Sequence, residues 1–221
     1  MLFVTNNSSA VVADQEAALA AIGIPAVGDV LTSAQAAAVL IRPGDRVHVC
    51  AGPGVREAVE ERGAHVVVDD SEQADAVIVG FHRDFDYEGM RRAVDQVRRG
   101  ARLIGTNDDA TYPTPSGLIP GGGAIVAAVA AGSETQPTIA GKPYEPAAEL
   151  VRRVVGADTR RAVMVGDRPS TDGGFARTLG CRFALVFSGV TARGGHVDPS
   201  PDLTGADLAD IADQLLAVGF E

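Results

Sequence analysis

Three short stretches hold residue types that could do phosphoryl chemistry. The first is Val4-Thr5-Asn6-Asn7-Ser8-Ser9, where hydroxyl and amide side chains follow an apolar run and precede a helical pattern. Such a turn offers side-chain donors and backbone N–H groups to an anion. The same residue types are the preferred helix N-caps, so both uses stay open. The second is Ala140-Gly141-Lys142-Pro143, with Lys142 the single lysine beside 18 arginines. A compact ammonium suits a post that a planar guanidinium does not fit. The alternative is a solvent-exposed lysine at a helix start, where the helix dipole disfavours a cation. The third is Val163-Met164-Val165-Gly166-Asp167-Arg168-Pro169-Ser170-Thr171-Asp172, an apolar run ending in Gly-Asp with a second carboxylate five residues on. Hard oxygen donors on one loop suit Mg2+, which takes one or two carboxylates and keeps waters for a phosphate substrate. The competing reading makes Asp172 a helix cap and Asp167 a turn residue.

All three stretches need strand ends to hold them. Short apolar runs alternate with helical patterns along the chain, which predicts an α/β fold with a mostly parallel sheet. In such sheets the working residues lie past the carboxyl ends of strands. The pattern predicts a strand over 2–5, a helix from a Ser8/Ser9 cap to about Ile22, a short strand over 30–32 and a helix over 34–41 capped by Ser33. Strands over 47–50, 65–68, 76–80 and 102–106, with helices over 55–62 and 87–99, read as a self-contained α/β insert spanning 34–116. The first pattern then resumes with helices over 121–131 and 146–155, an edge strand over 138–140 and a buried-type strand over 162–165. A helix over 171–179, a strand over 183–187 and a final helix over 206–217 follow. Residues 1–33 and 117–221 would form one core domain and 34–116 an inserted one. The stretch Gly189–Asp202 reads as a Gly/Pro-rich loop.

Composition narrows the partners. The 221 residues are 46% hydrophobic and carry a formal net charge of −10, which disfavours nucleic acid and anionic lipid surfaces. No apolar run approaches the length of a membrane span. Cys50 and Cys181 lie far apart in apolar runs, as buried free thiols of a reducing cytoplasm would. Cys50-Ala51-Gly52-Pro53-Gly54 follows a strand but lacks the third glycine of a dinucleotide loop, and Pro53 occupies its turn.

Taken in order, Phe3–Ser9, Leu31-Thr32-Ser33-Ala34, Gly105-Thr106-Asn107-Asp108, Gly141-Lys142-Pro143 and Val165–Asp172 resemble the motifs of the haloacid dehalogenase (HAD) superfamily. More narrowly, they resemble its capped sugar-phosphatase/4-nitrophenylphosphatase branch (HAD-IIA). The resemblance implies a Rossmann-like core carrying an α/β cap. It also implies Mg2+-dependent hydrolysis of small phosphate monoesters, of the sugar or glycerol phosphate type, through an aspartyl-phosphate. Thr5 would hydrogen-bond the phosphoryl group with Asn6 and Asn7 close by, and Lys142 would stabilise its charge. Asp167 would serve catalysis and ligate Mg2+, and Asp172 would support the metal or the lysine. Asn107 and Asp108 would face the substrate. The implied partner is a small phosphorylated metabolite in the cytoplasm, with no nucleic acid and no membrane, and a homodimer is left open.

One implied motif is missing. The nucleophile of this branch sits in an Asp-x-Asp-Gly ahead of the hydroxyl motif. Asp69-Asp70, Asp84-Phe85-Asp86 and Asp108-Asp109 all lie in the insert, and Tyr87 stands where the glycine should follow Asp86. The expectation is a chain that starts at the second motif, with its first strand absent, unpaired edges beside it and an in-frame Asp-x-Asp-Gly upstream. The alternative is a non-catalytic relic that binds phosphate and Mg2+.

Overall fold

The computed structural model describes residues 1–69 and 71–218. Asp70 of the acidic pair above lies outside them. The chain divides into two compact units, Met1–Gly141 and the part from Lys142 onward.

The first unit runs β1 (Phe3–Thr5), α1 (Val12–Ala21), β2 (Val30–Thr32), α2 (Ser33–Val39), β3 (Arg46–Cys50), α3 (Pro53–Glu61), β4 (His65–Val66) and β5 (Ala76–Val79). It continues through α4 (Tyr87–Arg98), β6 (Arg102–Gly105), β7 (Thr111–Thr114), β8 (Gly117–Pro120), α5 (Gly122–Ser133) and β9 (Thr138–Ile139). Its main sheet is parallel throughout, in the order β4-β3-β5-β6-β9. Parallel strands are covered on both faces and so read as continuous apolar runs; all four residues of β5 are buried. Val77, Val79 and Leu103 pack with Ala93, Val94 and Val97 of α4 and with Ile125, Val126 and Val129 of α5. Ala76 and Ile78 alternate onto the opposite face and are equally buried. From β3 the chain moves to β4 on one side, then returns to place β5 on the other. This reversal of strand order is where an open α/β sheet leaves a crevice.

Several boundaries differ from the expected ones. Position 116 lies in the turn of the antiparallel β7–β8 hairpin, and β9 extends the main sheet through Ile104 opposite Thr138. The α/β layer thus continues past the expected boundary to residue 139. Pro113 and Pro120 hide the hairpin in the sequence, because a strand containing proline is tolerated only on an edge. Ser8 and Ser9 cap no helix: α1 starts at Val12 with no side-chain cap. The cap of α2 is Thr32, not Ser33. Thr32 Oγ1 accepts from Gln35 N at 3.2 Å and Gln35 Oε1 accepts from Thr32 N at 3.0 Å, a reciprocal capping box.

The second unit holds α6 (Glu145–Val155), β10 (Val163–Gly166), a π-helical turn over Pro169–Gly173, α7 (Gly174–Leu179), β11 (Arg182–Val186), β12 (Leu203–Gly205) and α8 (Leu208–Val218). Its sheet is parallel in the order β10-β11-β12. The expected helix over 171–179 therefore starts as a wider turn, and β12 follows directly on the expected loop. Among the described residues β10 has a ladder on one edge only, with β11. Its four residues are half-buried where a fully buried strand is expected. In the first unit β1 likewise pairs only with β2 among the described residues, and Phe3 and Val4 are half-buried. No helix among the described residues is long and apolar enough to cross a membrane.

Candidate active site

In the first unit the residues after β1 form a turn stapled by its own side chains. Thr5 Oγ1 accepts from Asn7 N at 3.0 Å, and Asn7 Oδ1 accepts from Ser9 N at 3.0 Å. Hydroxyl and amide groups of this kind stabilise turns by mimicking backbone acceptors. Ser8 and Ser9 dock the turn on the main sheet. Ser8 is fully buried, and its Oγ lies 3.0 Å from Thr106 Oγ1 just past β6.

Three glycines make that approach possible. A Cβ on Gly80, past β5, would stand 2.8 Å from Ser8 Oγ, and a Cβ on Gly52 or Gly54 would overlap Ser9 or the Ala10 carbonyl. The Gly52-Pro53-Gly54 segment is thus a close backbone crossing, sealed by Gly54 N donating to Ser9 O at 2.9 Å. The turn consequently sits at the carboxyl ends of β3, β5 and β6, at the point where the strand order reverses.

Asn6 is gripped from several sides. Its carbonyl accepts from Ser33 Oγ and from Asn107 Nδ2, both at 2.8 Å, and its Nδ2 donates to Asp109 Oδ2 at 2.9 Å. Asn107 is expected at the substrate, yet it is only 3% exposed. Its Oδ1 accepts from Asp109 N at 3.2 Å, so its amide is engaged in holding the two turns together. Asp108 is exposed. Asp109 had no signal in the sequence beyond its place in that turn.

In the second unit Lys142 is 8% exposed, which removes the reading of a solvated surface lysine. Its Nζ donates to Asp172 Oδ1 at 2.7 Å, and Asp172 Oδ2 accepts from Arg168 N at 3.1 Å. A Cβ on Gly166 would overlap the Asp172 carboxylate, so the glycine at the end of β10 is what admits that side chain. Both Asp172 oxygens are therefore engaged, although a metal-ligand role is expected of it. Asp167 differs. Its Oδ2 accepts from Val190 N at 2.8 Å and its carbonyl from Thr191 Oγ1 at 2.6 Å, while its Oδ1 accepts no hydrogen bond among the described residues. A carboxylate oxygen held in place with open lone pairs is the donor a hard cation takes. A single protein carboxylate is enough for Mg2+ that keeps its waters. No cluster of three or more potential metal-binding side chains occurs among the described residues. The thiols are not candidate nucleophiles: burial pushes Cys50 up to about 11 and also raises Cys181.

The spacing Asp84-x-Asp86 also finds its use. Asp86 caps α4, accepting from Gly89 N at 2.7 Å.

Comparison with known proteins gives concordant results. The HAD-hydrolase-like family model matches residues 139–211. The chain is 37% identical over 196 residues to 5'-nucleotidase YutF of Bacillus subtilis, covering 87% of this chain and 75% of that protein. It is 33% identical over 220 residues to the acid sugar phosphatase of Staphylococcus saprophyticus, covering 97% and 84%. The crystal structure of the glycerol phosphate phosphatase of Mycobacterium tuberculosis in complex with magnesium superposes with a TM-score of 0.87 at 33% identity. That match covers 95% of this chain and 66% of that one.

Proposed function

This chain belongs to the haloacid dehalogenase superfamily of hydrolases, in its capped phosphatase branch, and from that premise we propose that it binds the phosphoryl group of a small phosphate monoester with Mg2+. The sugar and glycerol phosphatases among its relatives support a polyol or sugar phosphate as the ester. The observation that carries the reading is the buried Lys142–Asp172 pair. The chain uses arginine at every other basic position, and burying an ammonium is costly unless a carboxylate meets it. A site for phosphoryl oxygens beside it explains why such a group is kept.

In this reading the Thr5 hydroxyl and the turn behind it orient the phosphoryl group. Lys142 offsets its negative charge, and Asp172 holds the ammonium in place. Asn7 keeps the turn closed and Asp108 faces the leaving group. Asp167 would hold Mg2+ through its open oxygen. Bound there, the metal would draw charge from the phosphoryl oxygens as a Lewis acid. Displacement at phosphorus through an aspartyl-phosphate needs a carboxylate nucleophile. No Asp-x-Asp-Gly occurs among these 221 residues, and Asp86 is committed to its helix.

The 221-residue chain is therefore expected to bind phosphate or orthovanadate in a Mg2+-dependent way, measured by calorimetry, without releasing p-nitrophenol from p-nitrophenyl phosphate. Lys142→Ala should weaken that binding about tenfold, the worth of a charge-assisted hydrogen bond. Absence of Mg2+-dependent binding would overturn the reading. Hydrolysis abolished by Lys142→Ala would reject the non-catalytic form of it.

A further inference from the structure

Asn6 lies between the hydroxyl of Thr5 and the rest of the turn, so its orientation decides where that hydroxyl and the following N–H groups point. Its backbone carbonyl is held by Ser33 and Asn107, and its side-chain amide is enclosed on two sides. On one side Nδ2 donates to Asp109 Oδ2 at 2.9 Å; on the other, Oδ1 stands 2.7 Å from where a Cβ on Gly141 would be. Asp109 is itself anchored. Its N donates to Asn107 Oδ1 at 3.2 Å, and its carbonyl accepts from Gly123 N at 2.9 Å at the start of α5. A residue 103 positions away in sequence thus fixes the amide of the turn through a support tied to a helix.

The choice of a carboxylate for this post is informative. A neutral acceptor would complete the same bond, whereas a negative charge near an anion site opposes anion binding. The charge is tolerable where its oxygen faces an amide donor, and there it makes the stronger hydrogen bond.

We infer that Asp109 is a positioning residue for the phosphoryl-binding turn: through Asn6 it sets the orientation of Thr5–Ser9, so the β6–β7 turn is a precondition of anion binding. The inference rests on the phosphate reading above for its ligand but not for its geometry, and the test separates the two. In the ligand-free 221-residue protein, amide hydrogen exchange at Asn7, Ser8 and Ser9 should accelerate in Asp109→Ala and stay near wild type in Asp109→Asn, which keeps an acceptor oxygen. With orthovanadate and Mg2+ as probe, Asp109→Ala should bind about tenfold more weakly and Asp109→Asn within about twofold of wild type. The Asn6→Ala/Asp109→Ala double variant should be no weaker than the worse single one.

Unchanged exchange in Asp109→Ala would overturn the inference. So would tighter vanadate binding by both Asp109 variants, which would make Asp109 only a repelling charge. A lower melting temperature with unchanged affinity would make it a general strut and overturn it as well. Thr5→Ala is the control for the underlying reading. If it leaves vanadate binding unchanged, the phosphate reading fails, while the exchange result still decides whether Asp109 orients the turn.

Discussion

Lys142 and Asp172 show how a residue can look ordinary by type and exceptional by setting. Each is almost fully enclosed, and the two meet as an ion pair at 2.7 Å. A buried pair of this kind adds little over an apolar pair of similar shape, but removing one partner takes away a compensating charge from the other. Asp172→Ala is therefore expected to lower the unfolding free energy by about 3–5 kcal/mol in urea titration. Asp172→Asn, which keeps an oxygen opposite Nζ, should lose less. A near-zero cost for Asp172→Ala would mean that the ammonium escapes to solvent. The lysine was legible in the sequence because it stands alone among arginines. Asp109 was not, because a carboxylate that takes its meaning from a residue about a hundred positions away has no local signature.

At the level of elements, turns between strands and helices do most of the positioning. The β1–α1 turn reads as a pair of helix caps, but α1 carries no side-chain cap and the Ser8 hydroxyl meets Thr106 past β6 instead. Local propensity proposes a cap, and a tertiary partner that buries the hydroxyl takes precedence. Glycines at the ends of β3 and β5 admit the turn by lacking a side chain. Gly54→Ala would drive a methyl group into the Ala10 carbonyl, and such overpacking against backbone costs about 1–3 kcal/mol. Gly195→Ala, with nothing within 4 Å of the new Cβ, should stay within about 0.5 kcal/mol. Thermal melts of the two variants compare them directly, and equal effects would show that the crossing at Gly54 is loose. Strands with apolar runs were found at nearly their expected positions, whereas the proline-bearing hairpin was not. Its strands are set by an antiparallel ladder from Thr111 opposite Pro120 to Thr114 opposite Gly117, not by an alternating apolar pattern.

Over the whole chain, acidity sets the working range. Asp75 is held below the usual carboxylate range by its hydrogen bonds to Arg46, Asp158 falls to about 2 beside Arg160, and Asp69 and Asp210 are lowered by backbone N–H donors. A carboxylate with a depressed folded-state pKa binds fewer protons than in the unfolded chain. Its contribution is complete above the unfolded value near 4 and disappears as pH falls toward about 2. Melting temperature should therefore be flat between about pH 7 and 5 and fall between about pH 4 and 2. A decline already at pH 6 would point to a titrating group other than these. The sequence alone established the α/β class, the apolar strands, the order of the motifs and the types of side chain that could meet a phosphate, because periodicity and strand-end chemistry are local properties. Only the tertiary structure decided that Ser8 serves the sheet, that Asp172 is the anchor of Lys142 and that Asp109 orients Asn6. Each of those depends on which distant group lies within hydrogen-bond reach, and packing, not spacing along the chain, selects that group.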